Sequence, residues 1–439
     1  MKNKKRAKKK KAHKIKASFT GGRLTNYSGI WPIFKFMQRL KVIEHLEHSI
    51  HLPVGDNALY ATGQILNSIV LGVLSGLNRI CKIESFTHDP LIQYLLNLPK
   101  QLDEDTLSNR LKRFTFKTSS QFCEVISRVS GKVHRKLHIR SDILDIDSSV
   151  RTVYGHQEGA SKGFNSSHRG RKSYHPLLAF LGSTRECVLS WLRPGNAYTA
   201  NNAAEFLKQA LSSLPKHLSS LTVRGDSGFF DGKVLSVIES FGHRYLIKVN
   251  LRNLKNLLSR QKWQDIVGIP GWFMCEFEYQ AQGWERSRRM VAIKKITNII
   301  TEDVLFPLVE YQYFCYVTNI EESPLFLHKF YGDRGESENW IEAIKNQLFA
   351  GAMLTSDFWA NEALWQCSVL AYNISLWMRI LTDKAAWRQE PNTFRLWFIQ
   401  LAGRVVSSGR QVYLKLYKAY HYKSKWLNID KAIDALQFA

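Results

Sequence analysis

Tyr331, Arg334, Glu338 and Lys345 fall at offsets 0, 3, 7 and 14 within Tyr-Gly-Asp-Arg-Gly-Glu-Ser-Glu-Asn-Trp-Ile-Glu-Ala-Ile-Lys. In an α-helix that spacing turns all four side chains toward nearly one face. A carboxylate flanked there by a phenol, a guanidinium and an ammonium suits a bound phosphodiester. The carboxylate holds a divalent metal, while the cations and the phenol hold phosphate oxygens. A plain amphipathic helix with a solvated charged face has the same pattern, and Ile341, Ile344 and Leu348 supply its apolar side in either case.

Two more acids bear on the choice. Asp147 closes an apolar alternation in Leu-Asp-Ile-Asp-Ser-Ser, and Asp226 follows Leu221-Thr-Val in Val-Arg-Gly-Asp-Ser-Gly-Phe. Acids at strand ends face the crevice where ligands bind in α/β sheets, and a helix beside them can supply a third. Three carboxylates brought together repel, and bound cations relieve the repulsion. Two metals about 3.5–4 Å apart activate the attacking oxygen and stabilise the leaving one in a displacement at phosphorus. Asp145 shares a strand face with Asp147 and competes for its role, and either could be an ordinary turn or strand residue. A basic cluster, Lys162, His168, Arg169, Arg171 and Lys172, follows the first strand and could track a DNA backbone or be a soluble hairpin. His156 is a lone histidine in a Gly-rich loop, a poor metal ligand.

The elements that must position these groups can be read from periodicity. From about Ile30 to Arg135 the pattern is helical. Within it, Asp103–Phe114 has an acidic, capped start and a buried stripe of Leu107, Leu111 and Phe114, with Arg110, Lys112 and Arg113 outside. That is one helix of a DNA reader or a plain surface helix. From Ser141 strands come first in hairpins and then alternate with helices, which implies a mixed α/β sheet. The stretch from about Leu254 to Thr301 is β-rich and aromatic, Tyr311–Thr318 is a strand, and the chain from Asn339 onward reads as helical. The run from about Ala58 to Leu77 is broken by polar residues and glycines, and reads as a buried helix rather than a membrane span.

Charge narrows the partner. The 439 residues carry a formal net charge of +25. Residues 1–16 hold ten Lys or Arg and no acid, so the remainder keeps +15. A body this basic is expected to meet a polyanion, with nucleic acid the commonest and no membrane anchor in view. Six scattered cysteines without a Cys-x-x-Cys pair argue against a zinc ribbon or a disulfide framework, and the N-terminus lacks an apolar signal core. A cytoplasmic, DNA-associated protein is expected.

Taken together, Asp147 with its two hydroxyl neighbours, Asp226 before Ser-Gly-Phe, and the Tyr331/Arg334/Glu338/Lys345 set resemble the DDE transposases of bacterial insertion sequences, in the branch with the Tyr-Arg-Glu-Lys signature. Tyr154–Phe164 and His168–Pro176 are similar to one subgroup of it, and the likeness covers roughly Leu144 to Lys345. It implies an α/β fold with a ribonuclease-H-like core and a β-rich insertion, which the offset of 112 from Asp226 to Glu338 leaves room for. The expected division is a disordered basic arm (1–16), a helical DNA-binding domain (17–136), the core in two parts (137–253 and 302–385) around the insertion (254–301), and a C-terminal helical region (386–439).

The resemblance further implies that Asp147, Asp226 and Glu338 are catalytic and bind two Mg²⁺ ions, with Mn²⁺ able to substitute. Tyr331, Arg334, Lys345, Lys162, Arg169 and Arg171 would contact DNA. Double-stranded element ends would be cut by water and their 3′-hydroxyls joined to target DNA, by a homodimer in the synaptic complex. Relatives also stack a flipped base on a Trp in the strand before the signature. Phe314 stands there in this chain, and a core role suits it as well. A metal-dependent nuclease that cuts without joining, a catalytically inactive DNA-binding derivative, and an RNA-associated structural protein are the alternatives.

Overall fold

The structure, a computed structural model, describes residues 17–438 except 56, 166–167, 301–307, 353 and 384. The expected arm lies outside these residues. A nine-stranded mixed sheet forms the centre, built from β1 (Ser141–Ser148), β2 (Leu177–Leu181), β3 (Cys187–Trp191), β4 (Ser220–Gly225), β5 (Arg244–Lys248), β6 (Gln264–Asp265), β7 (Trp272–Tyr279), β8 (Arg288–Ile300) and β9 (Leu308–Thr318). Its order is β6-β7-β8-β9-β5-β4-β1-β2-β3.

The last five strands of that order are the ribonuclease-H-like part. β1, β2 and β3 form an antiparallel meander, while β4 and β5 run parallel to β1. β2 is buried throughout and β1 from Leu144 to Asp147, as expected for central strands covered on both faces. Helices Ala203–Ser213 (α3) and Gly232–Ser240 (α4) make the crossovers from β3 to β4 and from β4 to β5, and their Phe206, Leu207, Leu235 and Ile238 are buried in the core shared with Leu144, Ile146 and Val223. β9 pairs antiparallel with β5, so the aromatic β-rich segment extends the catalytic sheet instead of forming a sheet of its own.

The other layer is helical. Phe358–Thr382 (α7) is capped by Asp357, whose carboxylate accepts from the Ala360 N–H at 2.7 Å. It is buried on nearly every face, as a central helix must be when it is apolar all round. It packs against Thr62–Ser75 (α1) and Phe116–Leu137 (α2). One hydrophobic cluster holds Ile33, Leu66, Val129, Trp365, Trp377 and Ile433, so the N-terminal helices and the C-terminal third share a core. Trp365→Ala would empty a fully buried site at a cost of about 3–5 kcal/mol. Among the described residues no single helix is long and apolar enough to cross a membrane, and α1, from the most apolar run, is buried throughout nearly all its length.

Two expectations need correction. The helix Glu104–Leu111 does bury Leu107 and Leu111, but Arg110 is buried too, donating to the Tyr60 carbonyl and to Thr62 Oγ1. The Tyr60 carbonyl and the Thr62 hydroxyl, at the start of the Thr62–Ser75 helix, capture its guanidinium, which leaves Lys112 and Arg113 as the exposed cations. The C-terminal region is not all helix: Gly403–Ser408 and Gln411–Leu416 form a hairpin that also pairs with Leu24–Thr25. Its two turn residues, Gly409 and Arg410, have φ of 56° and 63°, the left-handed pair a two-residue hairpin turn requires.

Candidate active site

The register of the sheet sets the geometry. Ile146 of β1 lies opposite Gly225 of the parallel strand β4, so Asp147 and Asp226 come next, side by side at the carboxyl ends. Gly225 packs closely there, since a Cβ would come within 2.9 Å of the Ile247 side chain and 3.1 Å of Ile146. The Asp226 carboxylate accepts from the Gly228 N–H at 2.9 Å, which holds the tight turn that follows β4. Asp147 accepts from the Ser148 N–H at 2.8 Å. Ser148 Oγ in turn meets Thr199 Oγ1 at 3.0 Å, tying the strand end to the loop after β3.

Above the pair runs the signature segment: Pro324–Gly332 (α5), a 3-10 turn at Asp333–Gly335, Glu336–Glu342 (α6), and a π turn at Ala343–Gln347. Arg334 is buried and its Nη2 pairs with Asp147 Oδ2 at 2.9 Å, also reaching the Ile146 carbonyl at 3.3 Å. Its Nε is buried and has no hydrogen-bond partner among the described residues. Tyr331 donates its hydroxyl to the Gly225 carbonyl at 3.3 Å and packs its ring on Tyr316. Lys345 Nζ donates to the Val150 carbonyl at 2.7 Å and to Ser149 Oγ at 3.1 Å.

Electrostatics mark the same spot. Burial pushes the Asp147 carboxyl up to about 6; Arg334 opposes the rise and the neighbouring Asp226 charge adds to it. Burial likewise carries the Tyr331 phenol up to about 12, against the pull of Arg334. For Arg334 burial works downward, but Asp147, Tyr331 and Asp226 outweigh it and hold the guanidinium more firmly charged. Burial, assisted by Arg151, lowers Lys345.

Asp145 is occupied differently. Arg224, its cross-strand neighbour, donates Nε to one oxygen at 2.7 Å and Nη2 to the other at 2.8 Å. Sequence reading passed over Arg224; its place just before Gly225 and Asp226, beside a strand acid, was the available signal.

Glu338 stands apart. It is exposed in the first turn of α6, and no hydrogen bond or ion pair joins it to Asp147 or Asp226. Among the described residues no three His, Cys, Asp or Glu side chains are grouped closely enough to hold a metal ion. The segment is not one uniform helix: a 3-10 turn at Asp333–Gly335 precedes Glu338 and a π turn at Ala343–Gln347 follows it. Lys345, within the π turn, reaches the site.

The basic residues lie on a flap that leaves β1 three residues after Ser148. Lys162, Arg169 and Arg171 are all exposed there, Arg171 with its guanidinium 6.0 Å from the Tyr154 ring, and His156 is exposed as well. On the opposite side of Tyr331, Trp272, Phe314, Tyr316 and His328 line an aromatic cleft with Lys248 and Lys329 at its rim. Phe314 is half-buried in that wall, its ring 4.6 Å from His328.

Whether Asp147 and Asp226 fit a divalent ion is answered by their donors. Both offer hard carboxylate oxygens, level on adjoining strands, and Asp147 feels the Asp226 charge, a repulsion that a cation relieves. Arg334 supplies that positive charge through one oxygen of Asp147 alone. The pair fits.

Comparison with known proteins is consistent in kind. The profile of the family described as transposase DDE domain group 1 matches residues 7–438. Two solved structures share 10% identity with the chain. A piggyBac transposase synaptic complex with hairpin DNA has a TM-score of 0.46, over 85% of this chain and 79% of that one. A Mos1 transposase paired-end complex with left transposon end has a TM-score of 0.19, over 38% and 57%. No curated protein matches.

Proposed function

The chain belongs to the transposase DDE domain group 1 family, and we propose that it cuts DNA at the ends of a mobile element and joins the freed 3′-hydroxyls to target DNA. The observation that carries this is the placement of Asp147 and Asp226 at adjacent strand ends beneath Tyr331 and Arg334. Such a site has carboxylates for cations and cations for phosphates within one crevice.

Asp147, Asp226 and Glu338 hold the divalent ions that this family uses, two Mg²⁺ in our reading, with Mn²⁺ as a substitute. When bound, those ions make the attacking oxygen more nucleophilic and stabilise the leaving one. Glu338 joins the other two by rotation of the signature segment. Arg334, released from Asp147, gives its guanidinium to a non-bridging oxygen of the scissile phosphate, with its unpartnered Nε as a second donor. Tyr331 and Lys345 grip the neighbouring phosphate oxygens and keep the phosphorus in line. In the cut, a water oxygen bonds to phosphorus, the bond from phosphorus to O3′ breaks, and O3′ takes a proton to become the hydroxyl. In joining, that O3′ attacks a target phosphate and displaces the target strand's own O3′. Lys162, Arg169 and Arg171 hold backbone phosphates beside the cut, the cleft of Trp272 and Phe314 receives a base displaced there, and two copies of the chain bridge paired ends.

The test uses DNA carrying the sequences that flank the gene, where short inverted repeats are expected. With Mg²⁺ the protein should nick these ends and transfer them into a supercoiled plasmid, and Asp226→Asn should do neither while still binding the ends. Cutting without any plasmid product would favour a nuclease that does not join. Retained cutting by Asp226→Asn would remove the proposal.

A further inference from the structure

The flap beyond β1 has more than charge. Its short strands Arg151–Thr152, Lys172–Tyr174 and Ser161–Lys162 form a small sheet, and it leaves two large rings in solvent, Tyr154 at 71% and Phe164 at 68% exposure. One exposed ring is ordinary on a protein surface. Two on one flap, set among cations, are a different matter. From Arg151 to Tyr174 the only acid is Glu158, and its carboxylate is engaged by the Phe358 N–H. Arg171 and His168 both lie against the Tyr154 ring.

The flap is also held firmly. Asn165, 4% exposed, donates to Thr152 Oγ1 at 3.0 Å and accepts from the His168 N–H at 2.9 Å, anchoring the chain beside Phe164. At its root two glycines interlock. A Cβ on Gly163 would sit 1.9 Å from the Gly195 carbonyl, and one on Gly195 would sit 2.0 Å from the Ser173 carbonyl. The loop that Gly195 begins carries Thr199, which bonds Ser148 beside Asp147. Lys345 of the signature segment shares a cleft with Thr152, Asn165 and His168 of the flap. The flap therefore offers cations and exposed rings beside the cleft that Lys345 lines.

We propose that this flap binds an unpaired stretch of the DNA strand next to the cut, with bases stacked on Phe164 and Tyr154 and phosphates on Lys162, Arg171 and His168. A duplex presents its phosphates outward and keeps its bases stacked on one another, so it gives an exposed ring nothing to stack on. Unpaired bases have free faces, and a basic groove with aromatic platforms is what single strands bind. The inference rests on the DNA-cleaving function proposed above and specifies which form of DNA this surface takes.

The test is fluorescence anisotropy of the full chain without divalent ions, with a single-stranded oligo-dT probe and a blunt duplex of equal length. Phe164→Ala and Tyr154→Ala should each weaken oligo-dT binding about five- to a hundredfold, the range for loss of one base–aromatic stack, and duplex binding by less than about threefold. Phe164→Trp should restore oligo-dT affinity and Phe164→Leu should not, which separates stacking from simple bulk. Equal losses on both probes, or none on either, would overturn the inference while leaving the proposed function standing. A wild-type chain that binds neither probe would overturn both.

Discussion

Asp145 and Asp147 lie two residues apart on one face of β1, both almost fully buried and both paired with arginine. The pairings differ in where the cation comes from. Arg224 is Asp145's own cross-strand neighbour, binds both carboxylate oxygens, and arrives as soon as β1 and β4 pair. Arg334 comes from a distant turn, touches one oxygen of Asp147, and has a donor to spare. A pair closed within the sheet is scaffold. A pair closed by a separate segment can open, and Asp147 is therefore the carboxylate that can exchange a guanidinium for another cation.

The contrast is broken most severely by removing the exchangeable charge. Asp147→Asn or Asp226→Asn should lower cleavage by about a thousandfold or more, the several kcal/mol that metal ions contribute to such a displacement. Binding of element-end DNA should stay within about threefold, because most contacts are to phosphates away from the cut. Gel assays of cleavage and of shift on the same variants check both parts.

Arg224→Ala attacks the other member. It strands Asp145 in the core, and unfolding in urea should show a loss of about 3–5 kcal/mol, the usual result of deleting one partner of a buried ion pair. Arg334→Ala is the sharper comparison. Cleavage should fall about a hundredfold through misplacement of the scissile phosphate, while DNA affinity changes little. Equal loss of binding and cleavage would make the signature segment a general DNA-binding face.

How far these roles could be read in advance depended on what fixed each side chain. Asp147 and Asp226 were legible because strand alternation places them and register then sets them level. The five-strand core and the central helix were legible for the same reason: period 2 and dense apolar runs leave few other solutions. The 3-10 turn that precedes Glu338 was not legible, because nothing in Tyr-Gly-Asp-Arg-Gly announces a break from uniform helix. Arg110 was misplaced outward since the carbonyl that captures it belongs to Tyr60, fifty residues earlier. The C-terminal hairpin carried a readable alternation from Gln411 to Leu416 that the surrounding helices obscured.

A second scaffold pair extends the comparison to pH. His134 of α2 lies 2.6 Å from Glu186, fully buried, and Ser130 and Trp377 donate to the same carboxylate. Burial lowers His134, but Glu186 overrides it and the histidine sits above its usual range; burial raises Glu186, but His134 and the two donors override it and hold the carboxyl low. The histidine's contribution is thus complete below its unfolded value of about 6.5 and fades as pH rises through the higher folded one. The carboxyl's contribution is present above about 4.5 and fades at lower pH. Urea midpoints should fall as pH is raised past the unfolded histidine's range, and His134→Gln should flatten that fall. An unchanged slope in the variant would assign the effect elsewhere.

The smallest expected effect belongs to residues 1–16. Each phosphate contact contributes about −0.9 to the slope of log affinity against log salt on duplex DNA, so deleting the arm should flatten the slope and leave low-salt cleavage intact.

The most direct measurement of the exchangeable carboxylate is Mn²⁺ binding. Mn²⁺ can be titrated into the full chain on uncleaved DNA, with the free ion followed by electron paramagnetic resonance. Asp147→Asn and Asp226→Asn should weaken Mn²⁺ binding by about tenfold or more, since each removes a hard oxygen ligand, and Asp145→Asn should leave it unchanged. Loosening by Asp145→Asn equal to that by Asp226→Asn, or no loosening by any of the three, would contradict the account.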